Sequence, residues 1–245
     1  MKHLPKSSPK PPSLLVFGAH PDDIEFGCGG IVALETQAGR AAHLVVCSVG
    51  EAATNGKPKQ RMAEARKGAA FLGATVEFIA LDGDARLEYR VEHCLKIAKI
   101  IRRVRPGIVL VPSLLENQHP DHPKLGRIVR DAARLARYGG LAALRGRPAH
   151  SIGQLFYYSS GPGAEQEGSQ PVLIDISAPS VLKAWTAAMR AHATQIRTRE
   201  YPELQLARAR VHGLTAGVSH AEALYPGDPP VFDSLAPLER GARQF

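Results

Sequence analysis

Four short apolar runs, separated by amphipathic stretches, constrain the fold of this chain more than any other feature. They cover residues 13–19 (SLLVFGA), 43–49 (HLVVCSV), 75–80 (TVEFIA) and 107–112 (GIVLVP). Each is almost continuous in apolar residues, as strands are when a parallel sheet is covered on both faces. Helices are expected between them, near 27–39, 59–72 and 90–105. In the third, Val91, Cys94, Ala98, Ile101 and Val104 share one face, with Lys96, Lys99, Arg102 and Arg103 opposite. Strand–helix–strand repetition of this kind predicts right-handed crossovers. The expected architecture is α/β: a Rossmann-like, mostly parallel sheet flanked by helices.

A further helix is expected over 123–138, apolar runs at 152–158 and 172–176, and helices near 178–196 and 200–212. The Gly-, Pro-, Ser- and Glu-rich piece 159–171 reads as a loop. A chain of 245 residues can bury one sizeable core. With no internal repeat, a single domain over 13–245 is expected after a disordered lead-in at 1–12, which is rich in Lys and Pro. The lead-in has no apolar signal region and no stretch is long enough to span a bilayer, so a cytoplasmic protein with no membrane partner is expected. Cys28, Cys47 and Cys94 are odd in number, far apart and without a CxxC pair, which fits a reducing compartment and buried thiols. The formal net charge of +8 suits an acidic ligand. Its arginines are scattered at helical spacing rather than gathered with aromatics, so solvated faces are expected and nucleic acid is not an expected partner.

The residues that carry chemistry all fall after strands. His20-Pro21-Asp22-Asp23 follows the first, GEAATNG (50–56) the second, Asp82-Gly83-Asp84 the third and PSLLENQHPDH (112–122) the fourth. In open α/β sheets that rim is where ligands bind. One imidazole and two carboxylates crowded at a strand end are costly to desolvate unless a cation stands among them. His119-Pro120-Asp121-His122 adds two imidazoles and a carboxylate. Two His and one Asp with an open position for water is the composition of a catalytic zinc site. A spare carboxylate, Asp22, can take a proton from that water. A spare imidazole, His119, can stabilise an oxyanion or protonate a leaving group, and Asp121 can hold an imidazole in one tautomer. Taken singly, these residues have plainer readings. Asp22 or Asp23 could cap the helix that opens near Gly27, and His119 or His122 could be surface histidines. Gly27, Gly29 and Gly30 lack the spacing of a dinucleotide fingerprint.

With these motifs the chain resembles the LmbE-like, or PIG-L, family of zinc-dependent N-acetylglucosamine deacetylases. AHPDDIEFGCGG and HPDH match the family's two signature motifs. The resemblance continues through SVGE (48–51), RMAEARKGAAFLGA (61–74), DGD (82–84) and VLIDIS (172–177). AHATQI (191–196) is similar to an H-x-S-Q segment with Thr194 in place of Ser. GVSHAEAL (217–224) is similar to a C-terminal segment of the bacillithiol-pathway branch, with His220 where Tyr is usual.

The resemblance implies that His20, Asp23 and His122 bind Zn²⁺ or another divalent metal, and that Asp22 is the general base. It implies that His119, oriented by Asp121, is the electrophilic or acid imidazole. Glu51 and Asp82 would contact an amino-sugar substrate, with Asp84 an alternative to Asp82. Arg61 and Glu64 are expected to support helix packing, and His192 and Gln195 to be structural. Glu25 could sit behind the site or simply favour a helix N-terminus. A homo-oligomer is also implied. Gln118 stands where the bacillithiol branch carries Arg, and Ala52-Ala53-Thr54-Asn55 likewise has no Arg, which counts against a carboxylated aglycone. The expected activity is hydrolysis of an N-acetyl group. Other readings are cleavage of an amide on a thiol conjugate or of a larger acyl group, and a non-catalytic sugar-binding relative.

Overall fold

The computed structural model describes residues 11–116, 119–165 and 168–241. Its strands are β1 (Leu14–Gly18), β2 (Ala42–Val46), β3 (Thr75–Phe78), β4 (Ile108–Pro112), β5 (Gln154–Tyr158), β6 (Val172–Asp175) and β7 (Ala221–Pro226). Its α-helices are α1 (Asp23–Gln37), α2 (Pro58–Phe71), α3 (Val91–Val104), α4 (Asp121–Ala136), α5 (Pro179–Arg190) and α6 (Tyr201–Thr215). The strands make one sheet in the order β3-β2-β1-β4-β5-β7-β6. The first five strands are parallel, and β7 runs antiparallel between β5 and β6. The expected mostly parallel, Rossmann-like sheet is therefore present, with a mixed edge. Among the described residues, no helix is long and apolar enough to cross a membrane.

Side chains alternate across a strand, so β1 feeds two cores at once. Leu15 and Phe17 pack on the side of α3 and α4 with Ile97, Ile101, Leu125 and Ile128. Leu14 and Val16 pack on the side of α1 and α5 with Ile31, Val32, Val181 and Trp185. Both faces are covered, which explains why β1 reads as an uninterrupted apolar run.

Helix α1 opens at Asp23, four residues earlier than the apolar pattern indicated, so the HPDD motif leads directly into it. The helix breaks at Cys28 (φ −154°, ψ 23°). Side chains satisfy the backbone groups around the break: Glu222 accepts from the amides of Gly30 (3.3 Å) and Ile31 (2.7 Å), and the Trp185 indole donates to the Glu25 carbonyl (2.7 Å). The glycines here serve close packing. A Cβ on Gly27 would lie 2.4 Å from the Tyr158 ring, and one on Gly29 2.7 Å from Trp185.

Three expectations need correction. Arg102 is not on a solvated face: it is 3% exposed and donates to the carbonyls of Ala136, Tyr138, Leu144 and Arg147 at 2.7–3.0 Å. Helix α5 stops at Arg190 rather than 196. Thr194 donates from its amide and hydroxyl to Glu64 (3.1 and 2.6 Å), and this anchors the following segment across the site. Strand β7 was not foreseen, because Ala-Glu-Ala-Leu has no β-branched residue and favours a helix on propensity alone. Residues 1–10 of the expected lead-in, and Gln118, lie outside the described residues.

Candidate active site

β1 delivers His20, Asp22 and Asp23 to the carboxyl rim of the sheet. Asp22 stands just before α1 with a positive φ of 134°, a conformation that favours glycine. It is in the cap position yet makes no capping hydrogen bond. Its carboxylate instead faces Arg61 of α2, whose Nη2 donates to Asp22 Oδ2 (3.1 Å) and to the Pro21 carbonyl (2.8 Å). Arg61 is 4% exposed and shares the buried face of α2 with Ala65, Gly68 and Ala69, so it both packs the helix and fixes the strained turn.

Asp23 Oδ2 accepts from the amides of Ala19 (2.8 Å) and His20 (2.9 Å). That holds Oδ1 towards His122, whose Nε2 is 3.1 Å away. His20 Nδ1 lies 3.5 Å from Asp23, while its Nε2 faces Asp84 Oδ1 (3.2 Å) and Asp121 Oδ2 (3.3 Å). Asp121 Oδ2 also accepts from the Ala85 amide at 2.8 Å. The HPDH motif thus opens α4 directly against the HPDD motif.

The electrostatics follow from this crowding. Burial disfavours charge on His20, but the carboxylates of Asp23, Asp121 and Asp84 outweigh it and lift its pKa well above the usual value. Burial likewise opposes charge on Asp23, and His122 and His20 overcome it to hold the carboxyl well below its usual range. Asp22 differs: burial pushes it up to about 6, against the pull of Arg61. Its partner is one arginine rather than two imidazoles. The hydrogen bond from His20 lowers Asp84.

The donor atoms of His20, Asp23 and His122 lie within 4.8 Å of one another, a spacing one divalent ion can bridge. His20, Asp84, His119 and Asp121 form a second group within the same limit that shares His20. The two ring nitrogens divide this shared role. With Nε2 held by Asp84 and Asp121, Nδ1 is left for an ion beside Asp23, the usual arrangement of a carboxylate-oriented histidine ligand. The residues present therefore fit a metal at the first group.

His119 Nδ1 accepts from the Asp121 amide (3.3 Å), so the neutral ring carries its hydrogen on Nε2. Burial, and then His20, lower its pKa and favour that neutral form. Asp121 Oδ2 is 3.9 Å from His119 Nδ1 and nearer to His20, so the carboxylate orients His20 while its backbone orients His119.

These groups line a cavity of about 670 Å³, walled also by Ala52–Asn55, Arg61, Gln195, Arg199 and Tyr201. Glu51 and Asp82 are not in its wall. Glu51 accepts from the amides of Asp84 (3.0 Å) and Val49 (3.2 Å), bracing the loop that carries Asp84. Asp82 accepts from the Glu88 amide and faces His93 at 3.4 Å. Of the pair Asp82 and Asp84, it is Asp84 that enters the site. His192 is fully enclosed, with Nε2 3.3 Å from Glu25. Gln195 donates to the Asn55 carbonyl (2.9 Å) and reaches the cavity. The link between Arg61 and Asp22 escaped sequence reading, although an arginine four and seven residues before buried small residues was a signal for it.

Fold and site together define a Rossmann-like α/β protein with a His–Asp–His cluster at the carboxyl rim. Residues 15–133 match the PIG-L family, described as GlcNAc-PI de-N-acetylase. The chain is 31% identical over 196 residues to a diacetylchitobiose deacetylase of Thermococcus kodakarensis, covering 74% of this chain and 69% of that protein. It is 34% identical over 140 residues to a 4-oxalmesaconate hydratase of Pseudomonas putida, a match spanning 52% of this chain and only about half, 54%, of the hydratase. A crystal structure of a conserved protein from Thermus thermophilus superposes with a TM-score of 0.82 at 29% identity, covering 94% of this chain and 100% of that one. The chain belongs to the PIG-L, or LmbE-like, family.

Proposed function

We propose that this protein is a metal-dependent deacetylase that hydrolyses the N-acetyl group of an N-acetylglucosamine-type sugar or conjugate. The observation that carries the reading is the division of labour among four neighbouring groups. His20, Asp23 and His122 converge within one ion's reach, Asp22 stands beside them held by an arginine, and His119 faces them with an Nε2–H. The deacetylase relative adds weight to this reading.

His20 Nδ1, Asp23 Oδ1 and His122 Nε2 would hold the ion, and zinc suits two imidazoles and a carboxylate. Such an ion supplies Lewis-acid chemistry and brings the pKa of a water towards about 7. The protein's own residues do the rest. Asp22 accepts the proton of the attacking water through the carboxylate oxygen that Arg61 leaves free. The Nε2–H of His119 donates to the oxygen that becomes negative as the amide carbonyl is attacked. Asp22 then returns the proton to the departing amine, giving the free amino sugar and acetate. Asp84 and Asp121 keep His20 in one tautomer throughout.

The test is acetate release from a panel of N-acetylglucosamine conjugates by zinc-loaded protein. Acetate and free amine should appear in equal amounts, cease on chelation and return with added zinc. Metal-independent release, or none across the panel, overturns the reading. The hydratase relative favours a second reading, in which the same groups deliver water to the double bond of an unsaturated carboxylate. Loss of ultraviolet absorbance with such a substrate, without any acyl product, would mark it.

A further inference from the structure

A second, smaller space adjoins both the metal-ligand cluster and the main cavity. It measures about 140 Å³ and is lined by Phe26, Ser160, Gln195 and Tyr201 together with Asp22, Asp23 and His122. Asp22, Asp23, His122, Gln195 and Tyr201 line both spaces, so a substrate whose scissile bond lies at the cluster can extend from the main cavity into this recess. The main cavity is large and rimmed by polar loops, as a sugar and its aglycone require. The smaller one has an aromatic wall, where the rings of Phe26 and Tyr201 pack against each other with their centres 5.6 Å apart. Phe26 is 7% exposed, so this wall belongs to the core and is already formed. Also in the lining, Ser160 Oγ lies 3.2 Å from His122 Nδ1, and the Ser160 carbonyl accepts from Gln205 (3.1 Å).

We propose that this space is the acyl pocket of the enzyme and that it accepts linear acyl groups longer than acetyl, with propanoyl and butanoyl preferred. The inference rests on the deacylation reading and adds the identity of the acyl group to it. A space of about 140 Å³ is several times what one water-sized group needs. The methyl of an acetyl group fills only part of this space. Adding methylenes fills the rest and buries apolar surface against Phe26 and Tyr201. The sugar stays in the main cavity, and a longer chain adds contacts with Phe26 and Ser160, which line the recess and not the main cavity.

The experiment compares N-acetyl-, N-propanoyl-, N-butanoyl- and N-octanoylglucosamine as substrates of the zinc-loaded protein. KM should fall about fourfold per added methylene up to butanoyl, and octanoyl should be hydrolysed poorly. Butanoyl hydrolysis slower than acetyl hydrolysis overturns the pocket while leaving deacetylation intact. A parallel calorimetric titration with acetate and butanoate measures binding without turnover. Butanoate should bind more tightly than acetate, and Tyr201→Trp should lower that preference at least tenfold by filling the space. Equal binding of the two carboxylates overturns the inference. If none of the N-acylglucosamines is hydrolysed but butanoate is still preferred, the deacylation reading fails and the pocket stands.

Discussion

Arg61 Nη2 stands 3.1 Å from Asp22 Oδ2 and 2.8 Å from the carbonyl of Pro21, so one buried guanidinium grips both the side chain and the preceding backbone of the candidate base. The grip matters because Asp22 occupies a φ of 134°, a conformation that costs about 1–3 kcal/mol in a non-glycine residue. Contacts from outside the turn must hold it there. Arg61→Gln is expected to lower kcat about 10–100-fold while metal stoichiometry stays at one per chain, since Arg61 touches no donor of the His20–Asp23–His122 group. Turnover matching the parent protein would show that Asp22 needs no such support.

Ligand and base should separate cleanly. Asp22→Asn should retain the metal and lose about 10²–10⁴-fold in turnover. His122→Ala should lose metal, because one of three donors is gone. Metal analysis beside acetate release checks both, and the roles proposed here fail if the two variants lose metal equally.

Glu222 makes the stability of the fold depend on pH. Burial pushes its carboxyl up to about 8, against the amides of Ile31 and Gly30. The folded-state pKa lies above the unfolded one, so the folded protein favours the protonated form. Its contribution is fully present below about pH 4.5 and is lost as pH rises through about 8. Glu222→Gln cannot ionise. The Tm of the parent protein should therefore fall relative to this variant between pH 5 and 9, by an amount equivalent to a few kcal/mol. A Tm difference constant across that range would show that Glu222 titrates normally.

Arg102 joins α3 to the far end of α4 through four carbonyls, those of Ala136, Tyr138, Leu144 and Arg147. Arg102→Met should destabilise the protein by about 3–5 kcal/mol, because the stem still packs but the buried carbonyls lose their donors. Denaturant unfolding measures this, and a loss under 1 kcal/mol would mean that water replaces the guanidinium.

The seven-stranded sheet was largely legible before folding because doubly covered parallel strands leave an unmistakable apolar record, as Leu14–Phe17 and Ile108–Val111 do. The HPDD and HPDH motifs were legible for a different reason: several ionisable groups within four residues need a partner to be buried together. Arg102 misled because a charged residue at an outward-looking position can still be drawn in by loop carbonyls distant in sequence. Asp82 was preferred over Asp84, two residues away, yet the turn, with positive φ at Gly83 and Ala85, brings Asp84 to His20.

The sequence alone determined which residue types meet at the carboxyl rim, since each motif directly follows its strand along the chain. Tertiary structure alone decided their pairing: Arg61 with Asp22, Asp121 with His20, Glu222 with the broken helix α1, and Phe26 with Tyr201 beside the His20–Asp23–His122 cluster. Each of these contacts joins residues at least 39 positions apart along the chain. Such contacts depend on how helices and strands pack in three dimensions, and no local pattern of propensity or charge records them.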